Sequence, residues 1–197
     1  MKEKEYMRLE SDSIGTMEVP EDAYYGVQAL RAKENFPITG TKLHPVFIKN
    51  LAKIKRAAAI TNRKAGRLKP EIANAIEASA NEVICGMFDK DFIVDGIQGG
   101  AGTSANMNMN EVIANRAIEM LCGKKGDYTI VHPNDHVNMA QSTNDVIPTA
   151  GKLTVLDLLK PLDKSLSLLT DALYDKAAAF DHIVKIGRTQ LEDAVPM

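Results

Sequence analysis

The 197-residue sequence has no tryptophan, two cysteines and no run of about 18 apolar residues that could span a bilayer. Each shortage excludes something. Two cysteines are too few for a disulfide-dense scaffold. Cys85 and Cys122 stand in Val-Ile-Cys-Gly and Met-Leu-Cys-Gly, which reads as two buried thiols in a reducing compartment, with one disulfide left open. No N-terminal apolar stretch resembles a signal peptide, so the expected location is the cytoplasm, away from membranes. Charge of one sign is also lacking: 24 basic against 26 acidic residues give a net charge of -2, which does not point to a nucleic-acid partner. Lys53, Lys55, Arg56, Arg63, Lys64 and Arg67 read as the solvated face of a helix. There is no repeat, no low-complexity segment and no phosphate-loop lysine. His132 and His136 are four apart, but a proline lies between them and no third ligand stands at a useful spacing, so no metal is expected.

What is present is ordinary globular material, 45% hydrophobic and 25% charged. Its periodicity is helical. Pro20-Glu-Asp22 opens a short helix over Ala23 to Asn35. Pro45 suits a first helical turn, and Phe47, Leu51, Ile54, Ala58 and Thr61 repeat at three and four residues up to Gly66. Pro70 opens the next helix, striped by Ile72, Ile76, Ala80, Val83 and Met87. A third long helix follows the glycine turn at 99–102, and its Asn106, Asn108, Asn110 and Asn115 are unusual, because asparagine competes with the backbone for hydrogen bonds. Asn106 is read as serving a site. After residue 140, Leu159, Leu162, Leu166, Leu169, Leu173, Ala177 and Phe180 form a bundle seam, with Pro148 and Pro161 as candidate bends or restarts. The expected fold is mainly α: a small helical N-terminal domain over 1–140, then the incomplete beginning of a long-helix bundle domain over 141–197.

Three polar clusters carry the candidate chemistry. They are Gln98-Gly-Gly-Ala-Gly-Thr-Ser-Ala-Asn106, Gln141-Ser-Thr-Asn-Asp145 and Gly187-Arg-Thr-Gln190. All offer neutral donors, and the first two fall at expected helix starts. Free backbone N–H groups and the helix dipole there favour a small carboxylate ligand. The competing reading is plain helix capping. His44 and His182 read as capping or surface residues.

Gly15-Thr-Met-Glu-Val-Pro-Glu-Asp-Ala-Tyr-Tyr-Gly-Val-Gln28 and the stretches 98–117, 134–149 and 187–196, in that order, resemble the N-terminal part of the aspartate ammonia-lyases of the fumarase/aspartase superfamily. Fumarases usually carry Ser-Gly-Thr-Gln and Ser-Ser-Asn-Asp where this chain has Ala101-Gly-Thr-Ser104 and Ser142-Thr-Asn-Asp145, which favours the ammonia-lyase side. The alternatives are a fumarate hydratase and a noncatalytic helical remnant of the fold.

The resemblance implies reversible deamination of L-aspartate to fumarate without an organic cofactor, in a homotetramer whose active sites draw on three subunits. It implies substrate binding by Thr103 and Ser104, by Ser142, Thr143 and Asn144, and by Thr189 and Gln190. Gln190 stands where some relatives have histidine. A neutral amide binds and orients but does not shuttle protons, so Gln190 is read as a binding residue. Glu192 replaces the usual glutamine and is expected outward or paired. The family's catalytic serine belongs to a loop Ser-Ser-x-Met-Pro-x-Lys-x-Asn that these 197 residues do not contain. No residue here is assigned the base, and the chain is expected to be an enzyme fragment without activity by itself. His132, His136 or Asn134 could border a second anion pocket.

Overall fold

The computed structural model describes residues 6–197, so the first five positions of the expected N-terminal domain lie outside the described residues. The described chain opens with a hairpin where only a turn at Gly15 is expected. Strand β1 (Met7–Ser11) pairs antiparallel with β2 (Thr16–Pro20), from Met7 opposite Pro20 to Ser11 opposite Thr16. Asp12 closes the turn by accepting from the Ile14 and Gly15 amides.

The hairpin decides where the first helix begins. Arg8 is buried and paired with Glu10 at 2.7 Å, and its guanidinium donates to the carbonyls of Pro20, Ala23 and Tyr25. Those bonds hold residues 20–25 irregular, so helix α1 (Val27–Asn35) starts later than the expected Ala23. Two carboxylates serve its N-terminus. Glu10 accepts from Val27 N, and Glu111 accepts from the amides of Gly26, Gln28 and Ala29. Burial pushes the Glu111 carboxyl up to about 7 despite these three donors.

Helices α2 (Pro45–Lys64), α3 (Pro70–Ile84) and α4 (Thr103–Met120) pack into the main core, with Leu51, Ile76, Met109, Val112, Ile113 and Ile118 inside. The two expected proline starts hold, and the His44 ring accepts from Val46 N at 3.2 Å as a cap of α2. Helix α4 is buried on nearly every side. Two of its asparagines pair with backbone that has no ladder of its own. Asn108 receives Ile93 N and donates to Asp91 O, while Asn115 receives Gly126 N and donates to Tyr24 O.

Three expectations fail here. Cys85 and Cys122 are exposed, because each follows the end of a helix where the chain turns out to solvent; Cys122 has a left-handed φ of 62°. Met87 is exposed, since it lies beyond the last turn of α3. Lys55, read as part of a solvated face, is fully buried. The inward stripe of α2 is Ile48, Leu51, Ala52, Lys55, Ala59 and Asn62, rotated from the one expected.

Helix α5 (Thr143–Phe180) is continuous for 38 residues through both Pro148 and Pro161. The chain divides into two compact units, Met1–Thr154 and Val155–Met197. Val146, Ala150 and Thr154 of α5 are buried in the first unit, where Thr154 accepts from Asn50. The second unit holds the rest of α5 and a hairpin of β3 (Ile186–Arg188) with β4 (Asp193–Pro196). Its leucine seam is exposed: Leu159, Leu162, Leu166, Leu169, Leu173 and Phe180 are each 46–62% accessible. Among the described residues no helix is long and apolar enough to cross a membrane.

A candidate anion site where two helices begin

Helix α4 needs a glycine before it. Gly102 has a φ of 88°, and a Cβ there would come within 2.8 Å of Ile147 Cγ2. The backbone at the start of α4 therefore lies directly against the first turns of α5. Gln98 supports the turn by accepting from Ala105 N at 2.7 Å. Thr103 is exposed and Ser104 half-buried in the first turn of α4.

The start of α5 is built alongside. Ser142 Oγ accepts from Asn144 N at 3.2 Å and caps the helix. Thr143 is half-buried, and Asn144 is exposed beside it. Asn106 ties the two helices together, its Nδ2 donating to Thr143 Oγ1 at 3.2 Å. Thr103, Ser104, Ser142, Thr143 and Asn144 thus share one junction of two helix N-termini. Hydroxyls, amides and free backbone N–H groups there suit negative charge.

Thr189 and Gln190 belong to the second unit, in the turn between β3 and β4, and both are exposed. Thr189 Oγ donates to Glu192 O at 3.0 Å and accepts from Glu192 N at 3.1 Å. The Glu192 residue is exposed, as expected.

Beneath the junction lies a polar layer that the motifs did not reveal. Lys55 Nζ donates to Asn138 Oδ1 at 2.8 Å, and Asn106 Nδ2 donates to the same oxygen at 3.2 Å. Asn138 in turn donates to Gln141 O, and Asn62 donates to Met139 O. Burial pushes the Lys55 ammonium down to about 7. Asn106 Oδ1 and Gln141 Oε1 are buried acceptors with no hydrogen-bond partner among the described residues. A signal for Lys55 did exist: it stands four residues after Leu51 and four before Ala59, on the true inward stripe.

The histidines have local work. His132 Nδ1 accepts from the amides of Asn134 and Asp135, and His136 Nδ1 accepts from His132 N. Burial lowers the His136 pKa. Among the described residues no group of three or more His, Cys, Asp or Glu is placed to hold a metal ion.

A family profile described as lyase matches residues 15–197. The chain is 52% identical to an aspartate ammonia-lyase of Bacillus subtilis over 195 residues, which is 99% of this chain and 41% of that protein. It is 53% identical over 191 residues to a class II fumarate hydratase of Halobacterium salinarum, covering 96% of this chain and 40% of that one. Among solved structures, a Brucella melitensis protein described as fumarate lyase:delta crystallin superposes with a TM-score of 0.91 at 48% identity, covering 98% of this chain and 45% of that one. The chain spans about two fifths of the length of the curated relatives it matches.

Proposed function

The chain belongs to the lyase family, and on that premise we propose that it supplies carboxylate-binding helix starts to an aspartate ammonia-lyase, which reversibly removes ammonia from L-aspartate to give fumarate. One observation carries the reading: two polar clusters far apart in sequence meet at a single junction of helix N-termini, joined by the bond from Asn106 to Thr143.

In this reaction a base takes a proton from the carbon beside the β-carboxylate. Negative charge then gathers on that carboxylate as an aci-carboxylate before ammonia leaves. Fixed neutral donors act best on charge that appears only in the transition state, because they need no reorganisation when it forms. In this proposal Thr143, Ser142 and Asn144 hold the developing dianion. Thr103 and Ser104 hold substrate from the start of α4, and in an assembly whose active sites draw on three subunits, Thr189 and Gln190 of another copy of the chain supply the third set of donors. The base is not assigned to a residue of this chain. The exposed leucine seam supports assembly with further copies; the assembly proposed is a homotetramer, in the cytoplasm.

Fumarate hydratase is the second reading, since a relative of that name is as similar as the ammonia-lyases. Ala101-Gly-Thr-Ser104 and Ser142-Thr-Asn-Asp145 favour the ammonia-lyase. The test is a chimaera in which residues 1–197 replace the matching part of the Bacillus subtilis aspartate ammonia-lyase. Ultraviolet absorbance follows fumarate from L-aspartate and from malate. Fumarate from aspartate alone supports the proposal. Fumarate from malate alone moves the assignment to the hydratase.

A further inference from the structure

Lys55 has no role in the substrate-binding reading, yet it is a fully buried lysine under the candidate site, and none of the ion pairs among the described residues includes it. Burying an ammonium without a carboxylate is costly, and a chain keeps such a group only where something offsets the cost. We propose that Lys55 is a positioning residue that fixes, through Asn138 and Asn106, the direction in which the Thr143 hydroxyl donates.

Lys55 Nζ donates to Asn138 Oδ1 at 2.8 Å, and in its ammonium form, which has only N–H donors, it obliges Asn138 to keep that oxygen turned toward it. That oxygen has a second lone pair, which accepts from Asn106 Nδ2 at 3.2 Å. Asn106 must therefore present its NH2 end to this layer. The other hydrogen of the same NH2 goes to Thr143 Oγ1 at 3.2 Å. A hydroxyl already receiving a hydrogen bond from Asn106 does not aim its own hydrogen back at Asn106. The Thr143 O–H is left to donate away from this layer, to an anion at the helix junction.

Without the ammonium the relay loses its fixed end. Asn138 is then held only by its own donation to Gln141 O at 3.2 Å, and giving up that bond lets it turn its NH2 toward Asn106, which can answer with Oδ1. Asn106 Oδ1, buried and without a partner among the described residues, would also become an acceptor for the Thr143 hydroxyl. The donor would then be spent internally. The low pKa of Lys55 fits a group held in the site at a cost in stability, since burial disfavours its charged form. The inference rests on the proposed reading that Thr143 binds a carboxylate, but the hydrogen-bond direction can be tested without it.

The first arm uses the full 197-residue chain and nuclear magnetic resonance of side-chain amides. In the wild type, Asn106 and Asn138 should each show one amide environment, with Asn106 NH2 protons close to the Thr143 methyl. In Lys55→Met, of similar length and uncharged, both amides should shift or double and that proximity should weaken. Unchanged amide spectra in a folded Lys55→Met variant overturn the proposal. The second arm places Lys55→Met and Lys55→Arg in the chimaera. Lys55→Met should lower kcat about 10- to 100-fold, with a smaller change in KM and a melting temperature equal to or above wild type, and Lys55→Arg should recover part of the loss. Equal kcat in Lys55→Met and wild type overturns the proposal. So does a loss shared by both variants and matched by a fall in melting temperature, which would mark a packing role only. If the chimaera converts malate and not aspartate, the reaction assignment fails while the same comparison of variants still decides the role of Lys55. If Lys55→Met does not fold, the amide spectra of Lys55→Arg decide: wild-type spectra support the relay, and doubled amides overturn it.

Discussion

Lys55 shows what a single residue can conceal. Sequence spacing put it among Lys53, Arg56 and Arg63, and charge suggested solvent. The packed helix turns it inward between Leu51 and Ala59. Composition cannot reveal this, because a lysine looks the same on either face, and only the partner Asn138, 83 positions away, makes the buried position tolerable. Ser142 was legible as the start of a helix, because a hydroxyl ahead of a helical pattern caps its free N–H groups. The buried lysine gives a stability prediction with a definite sign. Its folded-state pKa lies near 7, below the ordinary 10.5, so its contribution to stability is present above 10.5 and is lost as pH falls through about 7. In denaturant melts, the stability of wild type relative to Lys55→Met should therefore fall as pH goes from 10.5 to 7 and level off below. A pH-independent difference between the two proteins would contradict a buried, depressed ammonium.

At the scale of elements, the long helices were readable and the short pieces were not. Three- and four-residue periodicity over Pro45–Lys64 and Thr143–Phe180 leaves little choice but helix. The strands of the first hairpin are five residues each, with polar side chains mixed in, and their partner is fixed by Arg8 reaching across to backbone carbonyls. No local pattern encodes that reach. The asparagines of α4 are the intermediate case. Their number marked the helix as unusual, but their use in pairing irregular backbone appears only when the neighbouring segments are in place. The junction of α4 and α5 yields a paired prediction. Gly102→Ala forces a Cβ into a left-handed position against Ile147 and should cost about 1–3 kcal/mol in chemical denaturation. Gly151→Ala, inside α5 with open space around its Cβ, should gain about 0.5–1 kcal/mol. Equal effects at the two positions would mean that the two helix starts are not in the contact described.

For the whole molecule, the seam and the site make separate demands. The leucine stripe was legible as a bundle face, and it is exposed in the single chain. Soluble proteins seldom leave such a stripe open, so the chain should self-associate in light scattering coupled to size exclusion, and Leu166→Glu with Leu173→Glu should shift it toward monomer. A monodisperse wild-type monomer would count against assembly through the seam. The proposed site makes the stricter demand, because the proposed carboxylate binding depends on the direction of one hydroxyl. The most direct measurement is kcat/KM for L-aspartate in the chimaera carrying Thr143→Val, which keeps the shape and removes the donor. Since Ser142 provides the helix cap, the stability cost should stay near 1 kcal/mol. The account predicts a fall in kcat/KM of about 10²–10³-fold. An unchanged kcat/KM would contradict it and leave Thr143 as nothing more than the first residue of a helix.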